Sequence, residues 1–320
     1  MKNPKKAIAV VGPTASGKSD LAIFLAQRYH SSVISADSRQ IYRHMNIGSG
    51  KIPGALTENY STHTPAHKKR FLSHPEKIPH YMIDIVAPTT PYSAGKFVKS
   101  TQKIIKNLHT QNQTPIICGG TFFWAQALIE NKQFPNIPSN ITLRKKYEET
   151  ETKELIKELE QNDPRRAKTI DKNNRPRLIR ALEIIDALGS VPSVKITKKK
   201  DIQWLVIAIN PEKEILHERI EKRLNQRIKE GMVEEVKTLH KEHNVPWTRL
   251  EQFGLEYKYC SQLLQEKISE KDMKEILLKE IKHYAKRQKT WLKKWATTTE
   301  IKNVTTTKEA LTLAKEYLEK

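Results

Sequence analysis

The stretch Gly12-Pro13-Thr14-Ala15-Ser16-Gly17-Lys18-Ser19 follows a short apolar run, Ala7–Val11, and opens into a segment with helical spacing. It satisfies the pattern GxxxxGK[ST] in full, with a strand before it and a helix after it. Gly12 and Gly17 permit the tight backbone path that turns successive N–H groups inward. Lys18 brings a point charge to the terminal phosphates, and the Ser19 hydroxyl can hold Mg2+. The helix beginning at Lys18 adds the positive end of its dipole. All eight residues, Pro13, Thr14, Ala15 and Ser16 included, are therefore expected to wrap a di- or triphosphate.

Working outward, Lys18–Tyr29 reads as a helix with Leu21, Phe24 and Leu25 on its apolar side. Short strands are expected at Ser32–Ala36, Tyr81–Val86 and Pro115–Cys118, and Ser93 is placed to cap a helix running to about Leu108. Strands separated by helices imply an α/β fold, a parallel sheet covered on both faces. After about Glu130 the rhythm changes. Residues 131–140 form a proline- and asparagine-containing link, followed by helical patterns at Lys153–Gln161 (Leu155, Ile156 and Leu159 on one face) and Arg175–Leu188. The latter carries a stripe of Leu178, Ala181, Leu182 and Ile185, and Gly189 stops it. The 195–200 run is basic and loop-like. Sheet character returns at Gln203–Ile209, where Asn210 and Pro211 supply a cap and first-turn pair for a helix over Glu212–Glu230. The expected architecture is a P-loop NTPase-like parallel sheet core, residues 1–130 plus 200–320, interrupted by a helical insertion domain at 131–199.

Composition sets the class of partner. The 320 residues include 57 Lys and Arg against 36 Asp and Glu, a formal net charge of +21. A surplus this large builds a field that draws in polyanions, nucleic acid above all, although a lysine-rich solvated surface has the same composition. Cys118 and Cys260 stand far apart without CxxC or Cys/His clustering, which argues against disulfide scaffolds and zinc modules. Cys118, inside an apolar run, reads as a small buried hydrophobe. The sequence has no signal-peptide core and no stretch of 18 apolar residues, so a cytoplasmic protein without membrane contact is expected.

ATPases, GTPases and small-molecule kinases all use such a loop, so its neighbours must discriminate. Asp37-Ser38-Arg39-Gln40-Ile41-Tyr42 follows the second strand at the carboxyl edge, where ligands bind in such sheets. An aspartate there can coordinate metal through water, act as a base, or cap the following turn. Gly119-Gly120-Thr121 ends another strand on the same edge, and Thr121 offers either a hydroxyl to a ligand or an N-cap. The strand before it lacks the terminal aspartate of an ordinary Walker B element, which counts against a motor ATPase or a GTPase.

The sequence resembles the tRNA dimethylallyltransferases, also called tRNA isopentenyltransferases, of the bacterial MiaA type. The resemblance rests on GPTASGKS at 12–19, SADSRQIYRHMNIGSGK at 35–51, PHYMIDI at 79–85 and YSAGKF at 92–97. It continues through CGGTFFWAQAL at 118–128, NNRPRLIRALEI at 173–184, GMVEEVKTL at 231–239 and YAKRQKTWLKKW at 284–295. These motifs run in order along nearly the whole chain. The resemblance implies transfer of a dimethylallyl group from its diphosphate to the exocyclic amine of the adenosine 3′-adjacent to the anticodon of tRNA. Asp37 matches the family's proposed general base. Lys18, Thr121, Arg223 and the loop amides match the groups that hold the diphosphate, and Ser19 the hydroxyl that positions Mg2+. Arg219, Arg223 and Arg227 recur every fourth residue on one helix face; a solvated basic stripe suits Arg227, while Arg223 and Arg219 match positions near the diphosphate.

The same resemblance assigns the RNA contacts. Ser38, Arg39 and Gln40 fall with Asp37 and Thr121 in the region that meets the target nucleotide. Arg144 and the segment Pro176-Arg177-Leu178-Ile179-Arg180 match elements that contact the anticodon stem-loop, which the insertion is expected to grip from outside. So does Lys286-Arg287-Gln288-Lys289-Thr290-Trp291-Leu292-Lys293. On a helical wheel Lys282, Lys286, Lys289 and Lys293 share one side, suited to phosphates. Tyr284, Gln288, Trp291 and Trp295 share the other, with the tryptophans read as core anchors. One segment departs from the family: Phe253-Gly254-Leu255-Glu256-Tyr257-Lys258 has Glu256 where many members carry the glycine of a Gly-Tyr-Arg element. A monomer is expected. The competing readings are a small-molecule kinase, which would leave the charge and the insertion unused, and an RNA-binding protein with a relic loop, which conflicts with intact Lys18, Ser19 and Asp37.

Overall fold

In chain order the elements are β1 (Lys5–Val11), α1 (Lys18–Arg28), β2 (Val33–Ser35), β3 (Gly54–Leu56), β4 (Phe71–Ser73), β5 (Pro79–Tyr81), α2 (Ala94–Thr110), β6 (Ile116–Gly119) and α3 (Phe122–Ile129). Four helices follow: α4 (Ile141–Glu149), α5 (Thr152–Asn162), α6 (Pro164–Thr169) and α7 (Arg175–Leu188). The chain then forms β7 (Ile202–Ile209), α8 (Lys213–Lys229), α9 (Met232–Lys241), α10 (Trp247–Phe253), α11 (Leu255–Leu264), α12 (Glu270–Trp295), β8 (Lys302–Val304) and α13 (Thr307–Glu319). This is a computed structural model, and it describes residues 4–58, 64–138, 140–193 and 201–319. The basic run at 195–200 lies outside the described residues.

The strands join one sheet in the order β3-β4-β5-β2-β6-β1-β7-β8. From β5 to β8 every pairing is parallel. At the centre Ala7, Ile8, Ala9, Val10 and Val11 are wholly buried, the near-continuous apolar run of a parallel strand covered on both faces. Leu21 and Leu25 of α1 and Ala310 and Ala314 of α13 pack in one cluster against Ile8, Val10 and Ile207. Because β1, β2, β6 and β7 are parallel, the loops leaving their carboxyl ends gather on one edge. That edge carries the phosphate loop, Asp37 and Thr121.

The chain divides into two compact units, Met1–Glu130 with Lys198–Lys320, and Asn131–Thr197. The second has a core of its own, in which Leu155 and Leu159 of α5 meet Leu178, Ala181 and Leu182 of α7, while Ile156 and Ile185 pack at its margin. Asn174 caps α7 by accepting from the Arg177 amide, and Gly189 ends it with φ 76. Among the described residues no helix is long and apolar enough to cross a membrane.

Several expectations need correction. The sheet is not wholly parallel: β3 and β4 add an antiparallel edge, built from three-residue strands too short to show a period. The strand expected at Tyr81–Val86 ends at Tyr81, because Met82 and Asp84 take positive φ (64 and 54) and break the extended path. Its apolar residues Met82, Ile83 and Ile85 are buried all the same. Phe24 is 41% exposed, since the buried stripe of α1 runs through Leu21, Ala22, Leu25 and Ala26. Asn210 does not cap α8, which begins at Lys213 after an extended Glu212 (ψ 156); the Asn210 Oδ1 is buried without a partner.

Candidate active site

The phosphate loop leaves β1 and enters α1 through Gly17, whose φ of 92 is the left-handed conformation that favours glycine. No side chain caps α1, so its first N–H groups stay open to an anion. The Ser16 Oγ is buried in the loop without a hydrogen-bond partner. The Lys18 Nζ curls back to donate to the Pro13 carbonyl at 3.2 Å. Burial holds its ammonium below the ordinary lysine value, with a smaller push from the Arg223 guanidinium. An anion in the loop would push it back up.

Asp37 follows β2. Its Oδ1 accepts from the Arg39 amide at 2.8 Å and the Gln40 amide at 3.4 Å, so the turn-capping role considered from sequence is realised. The carboxylate also lines the pocket that holds Lys18, Ser19, Thr121 and Arg223. The Thr121 side chain does not cap α3. Its Oγ1 accepts the Ser38 amide at 3.0 Å, which ties the end of β6 to the Asp37 turn. Arg39 donates to the Phe253 carbonyl at 2.9 Å, and Gln40 links the Ser35 hydroxyl (2.9 Å) to the Gly50 carbonyl (3.1 Å). Both side chains thus brace the walls of the pocket. Tyr284, on α12, completes the lining. Burial pushes its hydroxyl up to about 12, and the Asp37 carboxylate adds to that. The hydroxyl stays protonated, a donor at neutral pH.

On α8, Arg223 hydrogen-bonds the Thr14 hydroxyl. Burial, then the neighbouring Arg227 charge, pushes its guanidinium down to about 10. Arg219 is exposed and touches the loop only through the Ser16 carbonyl at 3.5 Å. Arg227 is not the solvated residue expected: it is 8% exposed, lines the pocket and pairs with Glu256 at 3.1 Å. The departure at Glu256 therefore has a partner inside the site. Neither residue was legible as part of the site, since the wheel places Arg227 beside Arg223 but says nothing of what covers it.

Gln288, expected at an RNA surface, is 5% exposed. It accepts from the Thr14 amide at 2.8 Å and donates to the Gly120 carbonyl at 2.9 Å, so it clamps the phosphate loop to the end of β6. Leu292 and Trp295 are buried, whereas Trp291 is 37% exposed and donates to Gln126 at 3.2 Å instead of anchoring the core. Lys286, Arg287, Thr290 and Lys293 are exposed; Lys289 is held by the Pro211 carbonyl at 2.6 Å.

Within the second unit, Leu178 and Ile179 are core residues, 0% and 7% exposed, and cannot present side chains to RNA. Pro176 and Arg177 are exposed. Arg144 and Arg180 are both spent on the buried Glu183, at 2.8 and 3.2 Å. These ion pairs hold the Glu183 carboxyl below the ordinary range against the opposing effect of burial.

The chain that carries this pocket matches a family known from both sequence and structure. The model of the IPP transferase family matches residues 40–295, and that of isopentenyl transferases residues 5–61. The chain belongs to the IPP transferase family. It is 34% identical over 290 residues to tRNA dimethylallyltransferase 1 of Syntrophus aciditrophicus, covering 91% of this chain and 90% of that one. Identity to tRNA dimethylallyltransferase 2 of Treponema denticola is also 34%, covering 92% and 93%. Among solved structures, the tRNA delta(2)-isopentenylpyrophosphate transferase of Staphylococcus epidermidis superposes with a TM-score of 0.65 at 28% identity, covering 98% and 99% of the two chains. A eukaryotic dimethylallyltransferase, 23% identical, shares the fold with a TM-score of 0.78 over 98% of this chain and 80% of that one. The IPP transferase chain has the P-loop NTPase-like α/β fold expected from its sequence.

Proposed function

We propose that this enzyme transfers a dimethylallyl group from dimethylallyl diphosphate to the exocyclic amine of the adenosine 3′-adjacent to the anticodon in tRNA, releasing diphosphate. The observation that carries the proposal is the meeting of Asp37 with Lys18, Thr121 and Arg223 around one pocket at the phosphate loop. The loop amides, Lys18, Thr121 and Arg223 hold the diphosphate. As the allylic C–O bond breaks, its electron pair leaves with the diphosphate, and these donors stabilise the developing charge in a site shielded from water. The adenine amine forms the new C–N bond and gives its proton to the Asp37 carboxylate. Product is the N-prenylated adenosine; diphosphate and one proton leave.

Mg2+ fits the donor set. Ser19 and Asp37 supply oxygens to the same pocket, and no group of three or more His, Cys, Asp or Glu among the described residues forms a protein cage. Mg2+ keeps much of its shell as water and phosphate oxygen, so Ser19 would be its protein ligand beside the diphosphate. When bound it supplies charge neutralisation to the leaving group.

A base inside a tRNA stack must be extruded before its amine can reach the half-buried Asp37 carboxylate in the pocket. The 131–199 insertion, through Arg177 and its neighbours, and the exposed Lys286, Arg287 and Lys293 hold the anticodon stem-loop by its phosphates. The setting is the cytoplasm, and the protein acts as a monomer. Asp37→Ala should lower the transfer rate by roughly 10²–10⁴, the usual contribution of a general base, while tRNA affinity holds. Wild-type turnover by that variant would sink the assignment of Asp37 as the base.

A further inference from the structure

The pocket contains a second carboxylate, and its position is unexpected beside an anion site. Glu256 lies in the first turn of α11, 9% exposed, with its Oε1 3.1 Å from the Arg227 Nη1. The same nitrogen donates to the Gly48 carbonyl at 3.3 Å. Arg227 follows Arg223 by one turn of α8, so both project from one face. Their guanidiniums are nevertheless tied in different directions, Arg223 to Thr14 of the phosphate loop and Arg227 to Glu256 and Gly48.

Neighbouring backbone leaves room for Arg227 where it lies. A methyl group on Gly50, where φ is 60, would fall 1.7 Å from the Arg227 Nη2, so the bare glycine is what lets the guanidinium lie there. The loop carrying Gly48 and Gly50 is pinned by the Glu235 carboxylate, which accepts the amides of Asn46, Ile47 and Gly48 at 2.7, 2.7 and 3.0 Å. The Tyr257 hydroxyl donates to the same carboxylate at 3.0 Å. Arg227 remains within electrostatic reach of the phosphate cradle, since its charge helps to depress both Lys18 and Arg223.

We propose that Glu256 is a positioning residue that holds Arg227 back from the diphosphate, so that the leaving group is gripped by one guanidinium fewer and is released after transfer. The inference rests on the reading of this pocket as the diphosphate site. A third free cation beside Lys18 and Arg223 would bind substrate and released diphosphate alike. Such uniform binding tightens the complex without speeding the chemistry and slows product release.

The test is calorimetric titration of the full chain with inorganic pyrophosphate. Glu256→Gln and Glu256→Ala, each checked for folding by circular dichroism, should bind it roughly tenfold more tightly than wild type, the worth of one added charged hydrogen bond. Glu256→Asp, which keeps the charge, should restore wild-type affinity. Adding Arg227→Met to either variant should abolish the tightening. In steady-state transfer, Glu256→Gln should lower both KM for the prenyl diphosphate and kcat. A merely structural lesion would loosen pyrophosphate instead. Unchanged or weaker binding in the folded variants overturns the proposal, as does tightening that survives Arg227→Met. Failure of wild type to bind pyrophosphate at all would instead overturn the reading of the pocket, and the inference with it.

Discussion

Replacing Gln288 with leucine separates a structural brace from an RNA contact. The side chain joins the Thr14 amide to the Gly120 carbonyl, at 2.8 and 2.9 Å, from a position 5% exposed. Leucine fills most of the space and serves neither partner. Each buried polar group left unpaired costs about 1–3 kcal/mol. Gly120 is buried, whereas Thr14 is partly open to water, so the carbonyl bears most of the loss and the sum is about 2–4 kcal/mol. The Thr14 amide also loses the acceptor that orients the loop, so pyrophosphate affinity should fall roughly tenfold, about one oriented hydrogen bond to a charged ligand. Urea unfolding measures the first effect, calorimetry the second, and filter binding of tRNA supplies the control, expected to change by less than about twofold because side-chain burial precludes a direct contact. Wild-type stability together with a large loss of tRNA affinity would refute the brace and restore the RNA contact first expected at this position.

Other outcomes follow from the same structure. Burial pushes the His80 imidazole down to about 4 from 6.5, so its neutral form is the folded one, and stability present above pH 6.5 should be lost as pH falls toward 4. At about 1.4 kcal/mol per pH unit the loss approaches 3 kcal/mol; urea midpoints across that window should show it, and His80→Gln should flatten the profile. Glu183→Ala should destabilise the 131–197 unit by about 2 kcal/mol, since Arg144, Arg180 and the Asn140 amide lose a buried acceptor; a thermal melt checks it. Arg177→Ala should weaken tRNA binding and reduce its salt slope by about one, leaving pyrophosphate affinity unchanged.

What could be read from the sequence was what is local. The phosphate loop, the Ser93 cap and the Gly189 stop are each written in a few adjacent residues, and the structure forms them in place. Asp37 and Thr121 were legible because strand ends on one edge of a parallel sheet converge. The contacts that shape the pocket span the chain: Gln288 reaches Thr14 across 274 positions and Arg227 reaches Gly48 across 179. A helical wheel shows that Arg223 and Arg227 share a face but not that α11 and the 46–50 loop cover one of them. The same limit explains Trp291, whose exposure is set by what α3 leaves uncovered. It also explains Leu178 and Ile179, where a motif match to an RNA-contacting segment carried core residues along with exposed ones.

The central claim is that the phosphate loop serves departure of a prenyl diphosphate. Mass spectrometry of nuclease digests from unmodified tRNA incubated with the enzyme, Mg2+ and dimethylallyl diphosphate tests it most directly. The expected product carries a dimethylallyl group on the exocyclic amine of the adenosine following the anticodon, with one diphosphate released per group transferred. An unaltered tRNA with the prenyl diphosphate intact, or a prenyl group on another nucleotide, would contradict it.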